Sequence, residues 1–317
     1  MILKSVELLL FNELLVQDLL MQLGQKDSES LFGYICIFLA AILFGTAGTV
    51  QALAPEGAQP EVLGAIRLAI SGTFLAVISL LFKRAQLRKR WPIIPTISAA
   101  ISAAALQICF FGALPKTGVA LGTSIFIGSF PVFTGVFSYI LYRDRPTPKW
   151  ILASLLAIVG CFLLLGIGEN SNSDFSGIAL ALGAGCSYAI FTLSAQFLLK
   201  EHSAVTVLAI SFTLGAILLI PAFFGVSLYW LAQARGVVVS LYLGIVSTVF
   251  PYLLFARGLR TVTASTAATL NLAEPLTAAI LGVALLQEKL SLTALTGMVL
   301  LIGGIVILSI PSRVKRP

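Results

Sequence analysis

Charge is what this sequence has least of. Only 10% of its 317 residues are Asp, Glu, Lys or Arg, while 58% are hydrophobic and the mean hydropathy is +1.03. Soluble domains carry about 25% charged residues, so the composition excludes a water-soluble globule and marks an integral membrane protein. Histidine is nearly absent: the single one, His202, stands beside Glu201 between two apolar runs. The four cysteines (Cys36, Cys109, Cys161, Cys186) lie inside apolar runs with no CxxC pair and no metal-ligand spacing, and they read as core residues. No GxxxxGK[ST] occurs, and the connections between apolar runs leave no room for a nucleotide-binding module. A membrane enzyme would need a nucleophile–base pair or a metal cluster at membrane depth, and no acidic pair falls within a span. The sequence therefore predicts no enzyme, no cofactor and no metal site. Its net charge of +7 would suggest nucleic acid in a soluble chain, but here it is a property of loops, and no nucleic-acid partner is expected.

What the chain has in abundance is apolar runs of about 20 residues, the length of a membrane-crossing helix and too long for a barrel strand. They predict an all-α membrane protein with ten spans, at 32–52, 61–82, 92–113, 117–141, 148–167, 176–199, 203–224, 235–256, 261–286 and 291–310. Residues 1–30 form an amphipathic extension that lacks the basic start and cleavage site of a signal peptide, and Met21 offers a second possible start. Residues 312–317 are a basic tail. Of the 20 Lys and Arg, Lys116, Arg235 and Lys289 fall on one side, Arg67 lies within span two, and the rest collect on the other side. The positive-inside rule then puts both termini in the cytoplasm, which an even number of spans requires.

The chain also repeats itself. Adding 144 to a position in the first half finds its twin in the second: Gly33 and Gly177, Phe44 and Tyr188, Pro131 and Pro275, Gly160 and Gly304. Around span three the spacing slips to 145, so that Leu114 meets Leu259. Five spans per copy is an odd number, so the copies 31–168 and 176–311 enter the membrane in opposite directions. Inverted repeats of this kind let a midplane site open to one side and then the other. A channel or a structural membrane protein needs no such symmetry.

LAAILFGTAGTV in span one, LGAIRLAISGTFLA in span two and LNLAEPLTAAILGVALLQEKLS in spans nine and ten resemble the EamA family of the drug/metabolite transporter superfamily. The pair Glu274-Pro275 matches the family pattern, whereas Phe130 precedes Pro131 in the first copy. The resemblance implies transport of a small metabolite, foremost export or exchange of amino acids, without ATP hydrolysis. Nucleobase carriage and broad drug efflux are the alternatives.

Glu274 sits mid-span, where an ionised side chain costs roughly 2.5–3.5 kcal/mol and needs a cavity or a partner. It has two readings, a proton-coupling or cation-binding carboxylate, or a support for backbone freed by Pro275. Asn271, one turn earlier, can serve either. Arg67 can hold a substrate carboxylate, neutralise Glu274, or play a structural part near the membrane edge. Tyr188, Thr192 and Gln196 form a polar stripe on span six, with Phe44, Thr46 and Gln51 placed similarly on span one. Gln107, Phe111, Ser124, Ser129, Tyr252 and Phe255 complete the predicted lining, which suits an amphipathic or aromatic solute better than an inorganic ion. Pro131 and Pro275 are the predicted helix breaks. Gly118, Gly122, Ala153, Ala157, Gly303 and Gly304 read as helix-packing residues. Ten helices can enclose such a cavity alone, so a monomer in the bilayer is expected, with protons as a possible coupling ion.

Overall fold

The computed structural model describes residues 25–117, 119–143, 146–165, 174–286 and 291–309, and every regular element among them is helical. The predicted N-terminal arm up to position 24, the tail 312–317, Gly118, and the charged pairs Asp144-Arg145 and Glu288-Lys289 lie outside the described residues. The helices are α1 (Gln25–Ala52), α2 (Pro60–Phe82), α3 (Ile93–Thr117), α4 (Val119–Tyr142), α5 (Pro148–Leu165), α6 (Phe175–Leu198), α7 (Ala204–Leu218), α8 (Ala234–Gly258), α9a (Ala264–Leu270), α9b (Ala273–Leu286) and α10 (Leu292–Ser309). Six of them, α1, α2, α3, α4, α6 and α8, contain stretches long and apolar enough to cross a membrane, and α5, α7 and α10 are apolar but shorter. The protein is a multi-pass membrane protein.

Local chemistry starts and stops these helices. Asp174 accepts hydrogen bonds from the Ser176 amide at 3.1 Å and its hydroxyl at 2.6 Å, which caps α6. Ser203 and Thr263 cap α7 and α9a in the same way, each accepting from the amide three residues on at 3.3 Å. Large aliphatic residues such as Ile101, Ile140 and Val299 stand exposed on the flanks, as a lipid-facing surface requires, whereas alanines fill the interior. Ala40, Ala99, Ala153, Ala184 and Ala189 are all fully buried.

Helix pairings follow the 144-residue spacing. The α3–α6 contact recurs as α8–α1, and α4–α6 recurs as α9b–α1, while α5–α10 and α2–α7 are each paired with their own counterpart. The α5–α10 seam is close, backbone against backbone. A Cβ at Gly160 would lie 2.5 Å from the Leu301 amide nitrogen, and one at Gly304 would lie 2.6 Å from the Ala153 carbonyl oxygen. Each has a copy, because 160 and 301 become 304 and 157, where a Cβ at Gly304 would lie 2.9 Å from the Ala157 amide nitrogen.

Three spans depart from the sequence expectation. Span seven is not one helix to 224: α7 ends at Leu218 and a single 3₁₀ turn, Ile220–Phe223, follows around Pro221, which has no amide hydrogen to continue the ladder. Span eight contains a π-helical segment, Tyr242–Val249, that no periodicity announces. The predicted break at Pro131 is also corrected, because α4 runs through it without interruption. Its twin does break, but at Asn271–Leu272, four residues before Pro275. A proline ring clashes with the carbonyl four residues back, which is Asn271. There the opened turn is closed by polar groups, the Glu274 amide donating to the Asn271 carbonyl at 2.9 Å. Ile127 and Phe130 stand at the corresponding positions of α4, and with no polar side chain to satisfy an opened turn the helix stays closed.

The seam makes a prediction. Gly160→Val overpacks α5 against α10 and should cost about 1–3 kcal/mol, read as a lower melting temperature in detergent. Gly303→Ala, which places its methyl where nothing lies within 4 Å, should leave the melting temperature unchanged or slightly raised, since alanine favours a helix over glycine. Equal stability of both variants would mean that the seam is not a close contact.

Candidate functional site

A cavity of about 370 Å³ lies among α1, α2, α3, α4, α6, α8 and α9b. Of the residues predicted to line it, Phe44, Gln51, Gln107, Phe111, Tyr188, Tyr252 and Glu274 do, together with Arg67 and Pro275. Two pairs of repeat counterparts thus meet on one wall: Phe44 with Tyr188, and Gln107 with Tyr252.

Arg67 is held by α8. Its Nε donates to the Thr248 hydroxyl at 2.5 Å and one terminal nitrogen donates to the Ser247 carbonyl at 3.2 Å. Thr248 passes the chain on, donating to the Leu243 carbonyl at 2.6 Å, a five-residue reach that belongs to the π-helical stretch. Next to it, the Ser71 hydroxyl donates to the Gly244 carbonyl at 2.8 Å. These bonds explain why the π turn exists: its widened geometry offers α2 a hydroxyl and two carbonyls that a regular helix would keep for itself. A guanidinium has five N–H donors, so Arg67 retains donors for a solute.

Glu274 begins α9b just past the break. The Asn271 amide donates to its Oε2 at 3.1 Å. Glu274 and Arg67 line the same cavity but form no ion pair within 4.0 Å; among the described residues the one such pair is Lys116–Asp174, far out at the α6 start. A carboxylate and a guanidinium that form no ion pair therefore face one cavity. Aromatic rings fill the remainder: Phe44 meets Tyr252 edge-on at 4.9 Å, and Phe110 meets Phe126 at 5.0 Å.

The other predicted contacts stand elsewhere. Thr46 donates to its own helix at the Leu43 carbonyl (2.7 Å), and Ser129 donates to the Phe126 carbonyl (3.0 Å). Ser124, Thr192 and Phe255 are buried away from the cavity, and Asn271 sits behind Glu274 at 1% exposure. Gln196 donates to the carbonyls of Leu259 and Val262 at 3.1 and 3.0 Å, tying α6 to the end of α8. The stripe Tyr188–Thr192–Gln196 is therefore divided, because the cavity closes just beyond Tyr188. Sequence reasoning missed Phe110, Phe126, Thr123 and Gly48, which line the cavity, and Ser247 and Thr248, which hold Arg67. The repeat spacing points to Gly48, the twin of Thr192; nothing in an apolar helix sets Phe110 or Phe126 apart.

A second, more open cleft of about 760 Å³ lies at the ends of α6 and α8, lined by Gln196, Leu199, Lys200, His202, Leu259 and Arg260 among others. His202 is 3% exposed and stacks flat on Trp91, with ring centroids 3.8 Å apart.

With this geometry in place, comparison with known proteins is informative. The EamA-like transporter family matches residues 31–166 and again 175–310, and the chain belongs to that family. It is 39% identical over 281 residues to the uncharacterized transporter YwfM of Bacillus subtilis (strain 168), covering 88% of this chain and 94% of that one. It is 31% identical over 263 residues to the threonine/homoserine exporter RhtA of Escherichia coli (strain K12), covering 81% and 84%. A crystal structure of 17% sequence identity superposes with a TM-score of 0.74 over 89% of this chain and 96% of that chain, which shows the shared fold. The family and these relatives are transporters rather than enzymes.

Burial pushes the His202 imidazole below its ordinary value of 6.5, with Lys89 adding to the shift and Glu201 opposing it. The unfolded chain then binds the proton first, so stability is full above 6.5 and is lost as pH falls through the lowered value. Melting temperature should therefore drop as pH falls below 6.5, and His202→Phe, which keeps the stack on Trp91, should flatten that drop. An identical drop in the variant would assign it to other groups.

Proposed function

We propose that this protein is a secondary transporter that carries a small zwitterionic metabolite, an amino acid or a close relative, across the cytoplasmic membrane. The observation that carries this reading is the presence in one cavity of two opposite charges that form no ion pair, Arg67 from the first copy and Glu274 from the second. An α-carboxylate matches the free donors of Arg67, and an α-ammonium matches Glu274. The side chain of such a solute would lie among Phe44, Phe110 and Phe126, where the aromatic lining also favours aromatic solutes. The name of RhtA, a threonine/homoserine exporter, supports the amino-acid class.

In this reading ten helices cross the inner membrane as two inverted five-helix repeats, with both termini in the cytoplasm, and the protein works as a monomer by alternating access. The paired helix contacts at the 144-residue spacing support the inversion. On that orientation α1 ends and α4 begins at the outer face, so the cavity containing Gln51 and Thr123 opens outward and the cleft at Gln196 and Arg260 lies at the cytoplasmic face. Glu274 is the candidate proton carrier, because protonation would relieve the cost of a charge at this depth.

Purified protein in liposomes, offered a panel of labelled amino acids and nucleobases with and without an imposed pH gradient, tests the proposal. Saturable amino-acid flux that the gradient accelerates, with gradient dependence lost in folded Glu274→Gln, is the expected result. Arg67→Gln should weaken apparent affinity for carboxylate-bearing solutes by about 10- to 100-fold, the scale of one lost charge-assisted contact. Saturable flux indifferent to the gradient and to Glu274→Gln would leave a carrier without proton coupling. Absence of flux for every solute by folded protein would reject the transporter reading.

A further inference from the structure

We propose that a second solute-facing surface lies buried in this conformation, carried by Thr192, Ser211 and Asn271, and that it opens toward the cleft at Gln196, Leu259 and Arg260. The inference rests on the transporter reading and names the surface that the opposite-facing state presents to the same small polar solute. Its basis is the 144-residue spacing applied to the cavity already described. Gly48, Arg67 and Ile127 line that cavity. Their counterparts are Thr192, Ser211 and Asn271, which are 0%, 0% and 1% exposed.

Each of those three buried residues carries a polar atom without a hydrogen-bond partner: Thr192 Oγ1, Ser211 Oγ and Asn271 Oδ1. Leaving such a group unpaired in the interior is costly. Hydroxyls in helices ordinarily avoid this by donating to the carbonyl four residues back, as Thr96, Thr134 and Thr277 do in this protein. Three unsatisfied groups at mirrored positions of an open cavity are explained if water or solute reaches them in another state.

The route to them is half built. Gln196 lies one helical turn beyond Thr192 and already lines the cleft of about 760 Å³. Leu259, also on the cleft, is the counterpart of Leu114, which lines the open cavity. Three buried rings, Phe130, Phe191 and Phe255, each 1% exposed, pack around Tyr188 of the cavity lining. Phe130 stacks on Tyr188 with centroids 4.2 Å apart, and it occupies the position at which the other copy has Glu274. The closed side therefore carries an apolar ring where the open side presents a carboxylate.

Thiol accessibility decides the matter. In a full-length parent with Cys36, Cys109, Cys161 and Cys186 changed to alanine and shown to transport, single Gly48→Cys, Thr192→Cys and Ser211→Cys variants would be treated with a charged methanethiosulfonate. Right-side-out and inside-out vesicles present the two faces. Gly48→Cys should label only from the cavity side, and Thr192→Cys and Ser211→Cys only from the cleft side. Adding Gly48→Trp, which wedges the cavity where nothing lies within 4 Å of the glycine, should slow Ser211→Cys labelling about tenfold by depopulating the state open to the cleft. Ser211→Cys changes one atom, so it keeps the test valid if Thr192→Cys misfolds. Labelling of Gly48→Cys with persistent transport, but no labelling of Ser211→Cys from the cleft side, would overturn this proposal and leave the transporter standing. Labelling of Gly48→Cys, Thr192→Cys and Ser211→Cys alike from both faces, the behaviour of a continuous pore, would overturn both.

Discussion

Holding a guanidinium inside a bilayer is the constraint on which much of this structure depends. Arg67 must find acceptors that do not cancel its charge, and the π-helical segment Tyr242–Val249 supplies them as a hydroxyl and a carbonyl. Had a carboxylate taken that place, the pair would have been neutral. Neutral acceptors leave the charge available and also fasten α2 to α8, so the same bonds that solve the burial problem set the width of the cavity. Removing Thr248 would release both.

Glu274 is supported by different means. Pro275 forbids a regular turn, the helix opens at Asn271–Leu272, and Asn271 reaches over to the carboxylate. The two copies therefore carry opposite charges by unrelated devices, one a widened helix and the other a broken one. Their counterparts, Ser211 for Arg67 and Phe130 for Glu274, have neither charge. Duplication supplies the frame of this protein, and divergence at a few positions supplies its polarity.

How much of this could be read beforehand follows from the same distinction. Features that repeat were legible: the helices, the spacing, and the paired lining residues Phe44–Tyr188 and Gln107–Tyr252. So were the rare charges, because Arg67 and Glu274 stand alone in apolar runs. Features that depend on contact across the bundle were not. The π segment arises from a bond between residues 67 and 248, and no window of local sequence contains both. Pro131 and Pro275 are the same residue at equivalent positions, and only their neighbours, Ile127 against Asn271, decide that one helix continues and the other opens. The stripe on α6 failed for a related reason. Periodicity puts Tyr188, Thr192 and Gln196 on one face, but it cannot say how far along that face a cavity extends.

The symmetry also bears on which contacts could stay fixed if the copies exchange conformations. A contact between α3 and α6 becomes, on exchange, a contact between α8 and α1, so any difference between these two pairs must be remade. The α5–α10 contact becomes itself. Gly160 against Leu301 and Gly304 against Ala157 are the same contact seen from either copy, and exchange leaves them where they were. Backbone-to-backbone packing is suited to that position, because it has no side chain to repack and tolerates no change of separation. Helices carrying the aromatic lining, by contrast, meet through rings that can slide and restack at small cost. A backbone-to-backbone seam is thus placed where motion would gain nothing, and the adaptable surfaces are placed where it would open a path.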